Sequence, residues 1–296
     1  MKFIESKSKG TPNPVKLFYE DLGTGKPVVF IHGWPLNHEM WEYQLSQLPL
    51  HNYRCIAYDR RGFGKSDRPW GGYDYDTLAD DLKAVLEQLN LNGVTLVGFS
   101  MGGGEIARYI GKYGTERIEK VVLISSVTPF MMQTDENPDG VDKGVFDDML
   151  EKIGEDRPAF LTNFAKSFYG VSMLNWAVSQ PLLDWNQMLC LMSSARATTE
   201  CVHSFSETDF RKDVLKINVP TLIIHGDADK TVPINTSGNK TAELLPHAKY
   251  IIYSGAPHGL FVTEKDRLNK DLIDFMGNKP MQSQRPELED AYRTVA

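Results

Sequence analysis

"LVGFSMGGGE", residues 96–105, ends an apolar run in a lone serine hemmed in by glycines. Gly98, Phe99, Ser100, Met101 and Gly102 spell G-x-S-x-G, the pattern of a nucleophile carried on a sharp turn between a strand and a helix. Alone the pattern is weak, because a Gly-Ser turn after any buried strand matches it. Its context decides its meaning. The strand "VTLVGF" runs into it and a helix from about Met101 to Tyr113 follows, as a nucleophile turn requires.

Working toward the N-terminus, "RCIAYD" (54–59) reads as a short strand ending in the charged loop "RRGFGKSDRP". "VVFIHG" (28–33) reads as a buried strand leading into a loop, and "KLFYEDLG" (16–23) as a strand made its neighbour by the "GTGKP" turn. From Thr77, Leu78, Leu82, Val85, Leu86 and Leu89 recur at helical spacing, with Thr77 and Asp80 as the expected capping pair. Toward the C-terminus, "KVVLISS" (120–126) is a further strand. Sheet-like sequence then stops until "TLIIHGDAD" (221–229), a helix near 237–245, "KYIIYSGAPHG" (249–259) and a last helix from about Glu264 to Phe275.

This alternation specifies right-handed crossovers and a mainly parallel sheet with helices on both faces. The interruption divides the chain into an α/β core (1–129 and 215–279), a helical cap (130–214) and a polar C-terminal tail (280–296). The cap carries Phe146, Phe160, Phe164, Phe168, Trp176 and Trp185, whose expected role is mostly to hold the cap to itself.

With 41% hydrophobic and 24% charged residues, the chain is ordinary globular protein, neither disordered nor membrane-embedded in composition. At net charge −7 with its cations scattered, it lacks the basic stripe of a nucleic-acid binder, and a small neutral or apolar molecule is the expected partner. Cys55, Cys190 and Cys201 are too few and too far apart for a disulfide framework. With no signal-like apolar segment near the start and no long apolar run, the expected location is the cytoplasm, away from membranes.

A serine hydroxyl needs a base, and the base needs a third group to hold its ring. Catalytic groups of open α/β sheets collect beyond the carboxyl ends of strands. His258, in "SGAPHG" after an apolar strand, meets that condition and is the candidate base, whereas His225 lies within its strand run and His32 precedes the loop glycine Gly33. "HGDAD" offers two carboxylates; Asp229 is preferred because the chain can turn before sending it toward the histidine, and Asp227 stays open. The order Ser100, Asp229, His258 is that of a serine hydrolase of this fold type. The backbone N–H groups of Met101 and Trp34 are the candidate oxyanion donors.

These residues sit in a set of motifs, "FIHGWPLN", "YDRRGFGKSD", "LVGFSMGGGE", "IIHGDADKTVP" and "APHG", all within residues 28–259. In this order they resemble the cofactor-free haloperoxidase, aryl esterase and perhydrolase branch of the α/β-hydrolases. The resemblance implies a mainly parallel eight-stranded sheet under a helical cap, the triad Ser100–Asp229–His258, an oxyanion hole from Trp34 and Met101, and neither metal nor cofactor. It implies a carboxylic ester or acid as substrate, with water giving hydrolysis and hydrogen peroxide giving a peracid that oxidises halide afterwards. Pro35 restrains Trp34, whose carbonyl is then expected to meet the peroxide. Some relatives form homo-oligomers; the tail after Lys279 and the "SKSKGTPNP" insertion depart from the family pattern and bear on that assembly only. Lactone or carbon-carbon bond hydrolysis by the same triad remains open, and a ligand-binding receptor on the same fold is the alternative outside catalysis.

Overall fold

The computed structural model describes residues 2–7, 13–172 and 176–284. Eight strands form one sheet in the order β1-β2-β4-β3-β5-β6-β7-β8. β1 (Lys2–Ser6), β2 (Val15–Leu22) and β4 (Tyr53–Tyr58) pair antiparallel; β4 with β3 (Lys26–Ile31), and then β5 (Val94–Phe99), β6 (Ile118–Ile124), β7 (Thr221–Gly226) and β8 (Lys249–Tyr253), pair parallel. The expected eight-stranded, mainly parallel sheet is present.

Side-chain parity builds a core on each face. Val29 and Ile31 of β3 join one cluster while Val28 and Phe30 join the other. The first is covered by α2 (Tyr75–Gln88) and α3 (Met101–Tyr113) and the second by α1 (Glu42–Leu45), α9 (Leu260–Thr263) and α10 (Lys265–Met276). Strand β1 and the short α9 were not anticipated from the sequence.

Two expectations need correction. β2 and β3 are consecutive but not neighbours, because β4 lies between them. Val28 to Ile31 are wholly buried, which suits a central strand with parallel partners at both edges, whereas β2 keeps Glu20 and Asp21 half-buried near the sheet margin. The cap of α2 is Asp74, whose carboxylate accepts the Thr77 N–H at 2.9 Å; Thr77 lies inside the first turn. Asp80 instead pairs with Lys112 and Tyr113 on α3.

Between β6 and β7 the chain forms α4 (Lys143–Phe168), α5 (Gln180–Leu191), α6 (Ala195–Glu207) and α7 (Arg211–Val214). α4 breaks at Asp156, two residues before Pro158, whose ring and missing N–H interrupt the helical ladder. Asp156 then caps the second half by accepting the Ala159 N–H at 2.9 Å. After β7, α8 (Gly238–Leu244) leads back to β8.

Beyond α10 the chain returns to the sheet as a packing arm. Gln284 N–H donates to the Tyr250 carbonyl at 2.6 Å, and the N–H groups of Tyr250 and Ile252 donate to Ser283 Oγ and Gln284 Oε1. Residues 285–296 of the expected tail and 8–12 of the expected insertion lie outside the described residues. Among the described residues no helix is long and apolar enough to cross a membrane.

The first turn of α3 sits directly on backbone. A Cβ at Gly98 would meet the Gly102 carbonyl carbon at 2.7 Å, and one at Gly102 would drive into the Ile31 carbonyl. Gly102→Ala therefore forces α3 away from β3 and should cost about 1–3 kcal/mol, the usual range for overpacking. Thermal unfolding of the purified variant checks this; an unchanged melting temperature would mean that α3 shifts freely.

Candidate active site

The glycines around Ser100 leave the serine one backbone conformation. Ser100 takes φ 54° and ψ −118° at the N-cap of α3, a left-handed state that costs a non-glycine residue about 1–3 kcal/mol. Surrounding bonds hold it there: its N–H donates to the Ile124 carbonyl at 2.9 Å, and its own carbonyl accepts from Gly103 and Val127. The side chain is thereby lifted off the end of β5 and is only 6% exposed.

His258 reaches Ser100 from the loop after β8, with Nε2 3.0 Å from Ser100 Oγ and Nδ1 2.6 Å from Asp229 Oδ2. A carboxylate facing Nδ1 fixes the tautomer with the proton on Nδ1 and the Nε2 lone pair toward the serine. The ring is wedged between Phe99 and Phe168, at centroid distances of 4.8 and 4.9 Å. Gly259 N–H bonds to the Phe168 carbonyl at 2.7 Å, tying the histidine loop to the end of α4.

Asp229 follows β7. Its Oδ1 accepts the N–H groups of Thr231 and Val232 at 2.9 and 2.8 Å, leaving Oδ2 for the histidine. Burial raises its pKa, but the His258 charge and the hydrogen bonds from His225 and His258 outweigh burial and hold the carboxyl below the usual range. It is an anion at any ordinary pH. His225 lies 3.4 Å from Oδ2 and bonds to the Val232 carbonyl at 2.9 Å, so it braces the same loop. Asp227 turns elsewhere and accepts the Gly255 N–H at 2.5 Å.

The oxyanion candidates meet the serine from two sides. Met101 is the first residue of α3, where backbone N–H groups have no partner within the helix and the dipole favours negative charge. A Cβ on Gly33 would lie 3.2 Å from Ser100 Cβ, which brings the loop bearing Trp34 against the nucleophile. Among the described residues neither N–H donates a hydrogen bond to another group. Trp34 is anchored by its indole N–H to the Thr198 carbonyl at 2.9 Å, and the Trp34–Pro35 peptide bond is cis.

The sequence reading missed the support behind this loop. His32 Nε2 accepts the Arg60 N–H at 2.9 Å, so its Nδ1 carries the proton and donates to the Gly33 carbonyl at 2.9 Å. Burial and the nearby Arg60 push the His32 pKa well below its ordinary value, keeping the ring neutral. With the Gly33 carbonyl held, the Trp34 N–H on the same planar peptide is aimed the opposite way. Arg60 is in turn paired with Glu105 of α3 at 2.9 Å, and Glu105 also accepts from Tyr58. A lone acid on an otherwise apolar helix face, after "GGG", was the available signal.

The aromatics of the helical segment do more than hold it to itself. Phe164 packs on Trp34 at 5.5 Å, and Phe168 on His258. Phe146 and Phe164, with Trp34, Val127 and Val232, line an apolar cavity of about 420 Å³. Trp176 is exposed and Trp185 packs in the other core cluster, so neither lines that cavity.

The model of the alpha/beta hydrolase fold family matches residues 26–265. A putative non-heme chloroperoxidase of Synechocystis sp. is 44% identical, covering 88% of this chain and 95% of that protein. A bifunctional esterase/perhydrolase of Acinetobacter calcoaceticus is 42% identical over 90% of this chain and 98% of its own. Among solved structures, a bromoperoxidase from Bacillus anthracis superposes with a TM-score of 0.88 at 47% identity, covering 93% of this chain and all of that one.

The two aspartates give a discriminating test. Asp229→Asn should lower the reactivity of Ser100 toward a fluorophosphonate probe by up to about 10⁴, the loss from the comparable change in a serine protease. Asp227→Asn should cost far less. The reverse ranking would make Asp227 the partner of His258.

Proposed function

This chain belongs to the α/β-hydrolase family, and we propose that it is a serine-dependent carboxylic ester hydrolase, acting on aryl esters among others, that also makes peroxycarboxylic acids from hydrogen peroxide. The observation that carries the reading is the continuous relay from Asp229 through His258 to Ser100, facing two unoccupied backbone donors. The relatives named chloroperoxidase and esterase/perhydrolase support the peroxide half.

Ser100 Oγ attacks the ester carbonyl as His258 Nε2 takes its proton, and the adjacent Asp229 anion stabilises the imidazolium. Negative charge moves to the carbonyl oxygen, between the N–H groups of Trp34 and Met101. The tetrahedral species collapses, the alcohol leaves with the proton from His258, and an acyl-enzyme remains. Water activated by His258 releases the acid; hydrogen peroxide in its place releases R–CO–OOH. That peracid oxidises halide in solution, giving the carboxylic acid and a hypohalous acid without a halide site.

Residues 130–214 serve as the cap whose side chains choose the substrate. Pro35 restrains the Trp34 carbonyl toward the incoming peroxide, whose second O–H can donate to it once His258 has taken the first proton. A reducing, cytoplasmic setting fits the three buried free thiols, Cys55, Cys190 and Cys201.

Hydrolysis of phenyl acetate, with and without peroxide, tests the assignment. Ser100→Ala should lose nearly all acid and peracid formation while keeping its fold, because the covalent route is gone. Near-normal turnover in that variant would refute it. Pro35→Leu should lower the peracid-to-acid ratio at fixed peroxide by more than it lowers hydrolysis; an unchanged or higher ratio would leave Pro35 a purely structural part of the loop.

A further inference from the structure

The apolar cavity beside Trp34 does not end inside the protein. Ser167 and Lys230 line it and also line a second, more polar cleft of about 710 Å³ on the outside of the histidine loop. These two residues therefore form the sill between an apolar chamber and a wet one. The chamber lies beside the serine turn, since Val127, whose N–H bonds to the Ser100 carbonyl, and Trp34 both form part of its wall.

Lys230 follows Asp229 directly, so its position is set by the same loop that holds the acid. Lys166, at the end of α4, lines the outer cleft as well. Both are exposed, and neither is within ion-pairing distance of a carboxylate among the described residues. Most other lysines near acids in this chain are paired, as Lys112 is with Asp80 and Lys240 with Asp139. Among the described residues that line the cleft, Glu264 is the acid. Asp227 is exposed beside Ala228 and accepts the Gly255 N–H, and Asp229 is turned inward to His258, so Lys230 and Lys166 are the cations that face the cleft.

We infer that the acyl chain this site is built for ends in a carboxylate: its apolar part fills the chamber, and its far end meets Lys230, with Lys166 behind it. This inference rests on the ester-hydrolase reading above. A compact ammonium on a flexible stem suits a carboxylate arriving at the end of a variable chain. Ser100 displaces the alkoxide, the alcohol leaves with the proton from His258, and water releases the dicarboxylate. Lys230 takes no part in these steps and acts on specificity alone.

The test compares two esters of equal acyl length, monomethyl adipate and methyl hexanoate, on the full-length protein. Wild type should favour the charged ester in kcat/KM by about tenfold, the low end expected for one partly solvated hydrogen bond to a charged group. The preference should shrink as salt is raised. Lys230→Met should lower the charged-to-neutral ratio about tenfold, and Lys230→Arg should restore most of it. A wild-type ratio at or below one, or a ratio unchanged in Lys230→Met, overturns the inference. If methyl hexanoate and phenyl acetate are hydrolysed in either of those cases, the ester-hydrolase reading stands and only the anionic preference is lost; if no ester is hydrolysed, both fall together.

Discussion

No side chain fits between the start of α3 and the backbone of β3, and most of the site follows from that exclusion. Gly98 and Gly102 let the helix begin in van der Waals contact with the strand ends. Ser100 lies between them, so the chain can connect strand to helix only through a left-handed serine. The same geometry delivers three things to one point: a raised hydroxyl, the Met101 N–H, which donates to no group among the described residues, and the positive end of a 13-residue helix dipole. Strain at Ser100 thus sets the candidate nucleophile and its candidate backbone donor together.

Behind this contact lies a second constraint, a buried ionic cluster. Arg60, Glu105, Tyr58 and His32 are almost wholly removed from water. Ion pairs in such places recover their desolvation cost only when every lone pair and proton is used, and removing one partner strands the other at a cost of about 3–5 kcal/mol. Here Arg60 reaches Glu105 through its side chain, the His32 carbonyl through Nη2 and the His32 ring through its backbone N–H. The cluster couples α3 to the loop carrying Trp34, so the two candidate oxyanion donors share one support.

Much of this was legible in the sequence because it rests on local rules. G-x-S-x-G between an apolar strand and a glycine-led helix fixes the turn, and Asp229 and His258 follow from strand ends in chain order. The errors arise where pairing is non-local. Nothing in "GTGKP" reveals that β4 will insert between β2 and β3; that depends on which strand can be buried on both faces and edges. The α2 cap is Asp74 and not Thr77, three residues later, because both are good capping residues and only the backbone tells which is extended and which helical. Arg60 and Glu105 were passed over because charges 45 residues apart read as surface until the fold encloses them. The aromatics between β6 and β7 read as self-packing in the sequence because periodicity names a helix face without naming what it faces.

The arm after α10 governs a different property, the sheet's behaviour toward other chains. β8 ends the sheet, and an outermost strand with unused N–H and carbonyl groups is a template on which a foreign strand can add. Ser283 and Gln284 occupy the N–H and carbonyl of Tyr250 and the N–H of Ile252, three of the groups that such a strand would need. Two of these three bonds go to side-chain oxygens, so this part of the edge is met by polar side chains more than by a ladder of backbone groups. Where the arm lies, an incoming strand would have to displace those bonds before it could pair with β8, so the arm raises the cost of edge-to-edge addition.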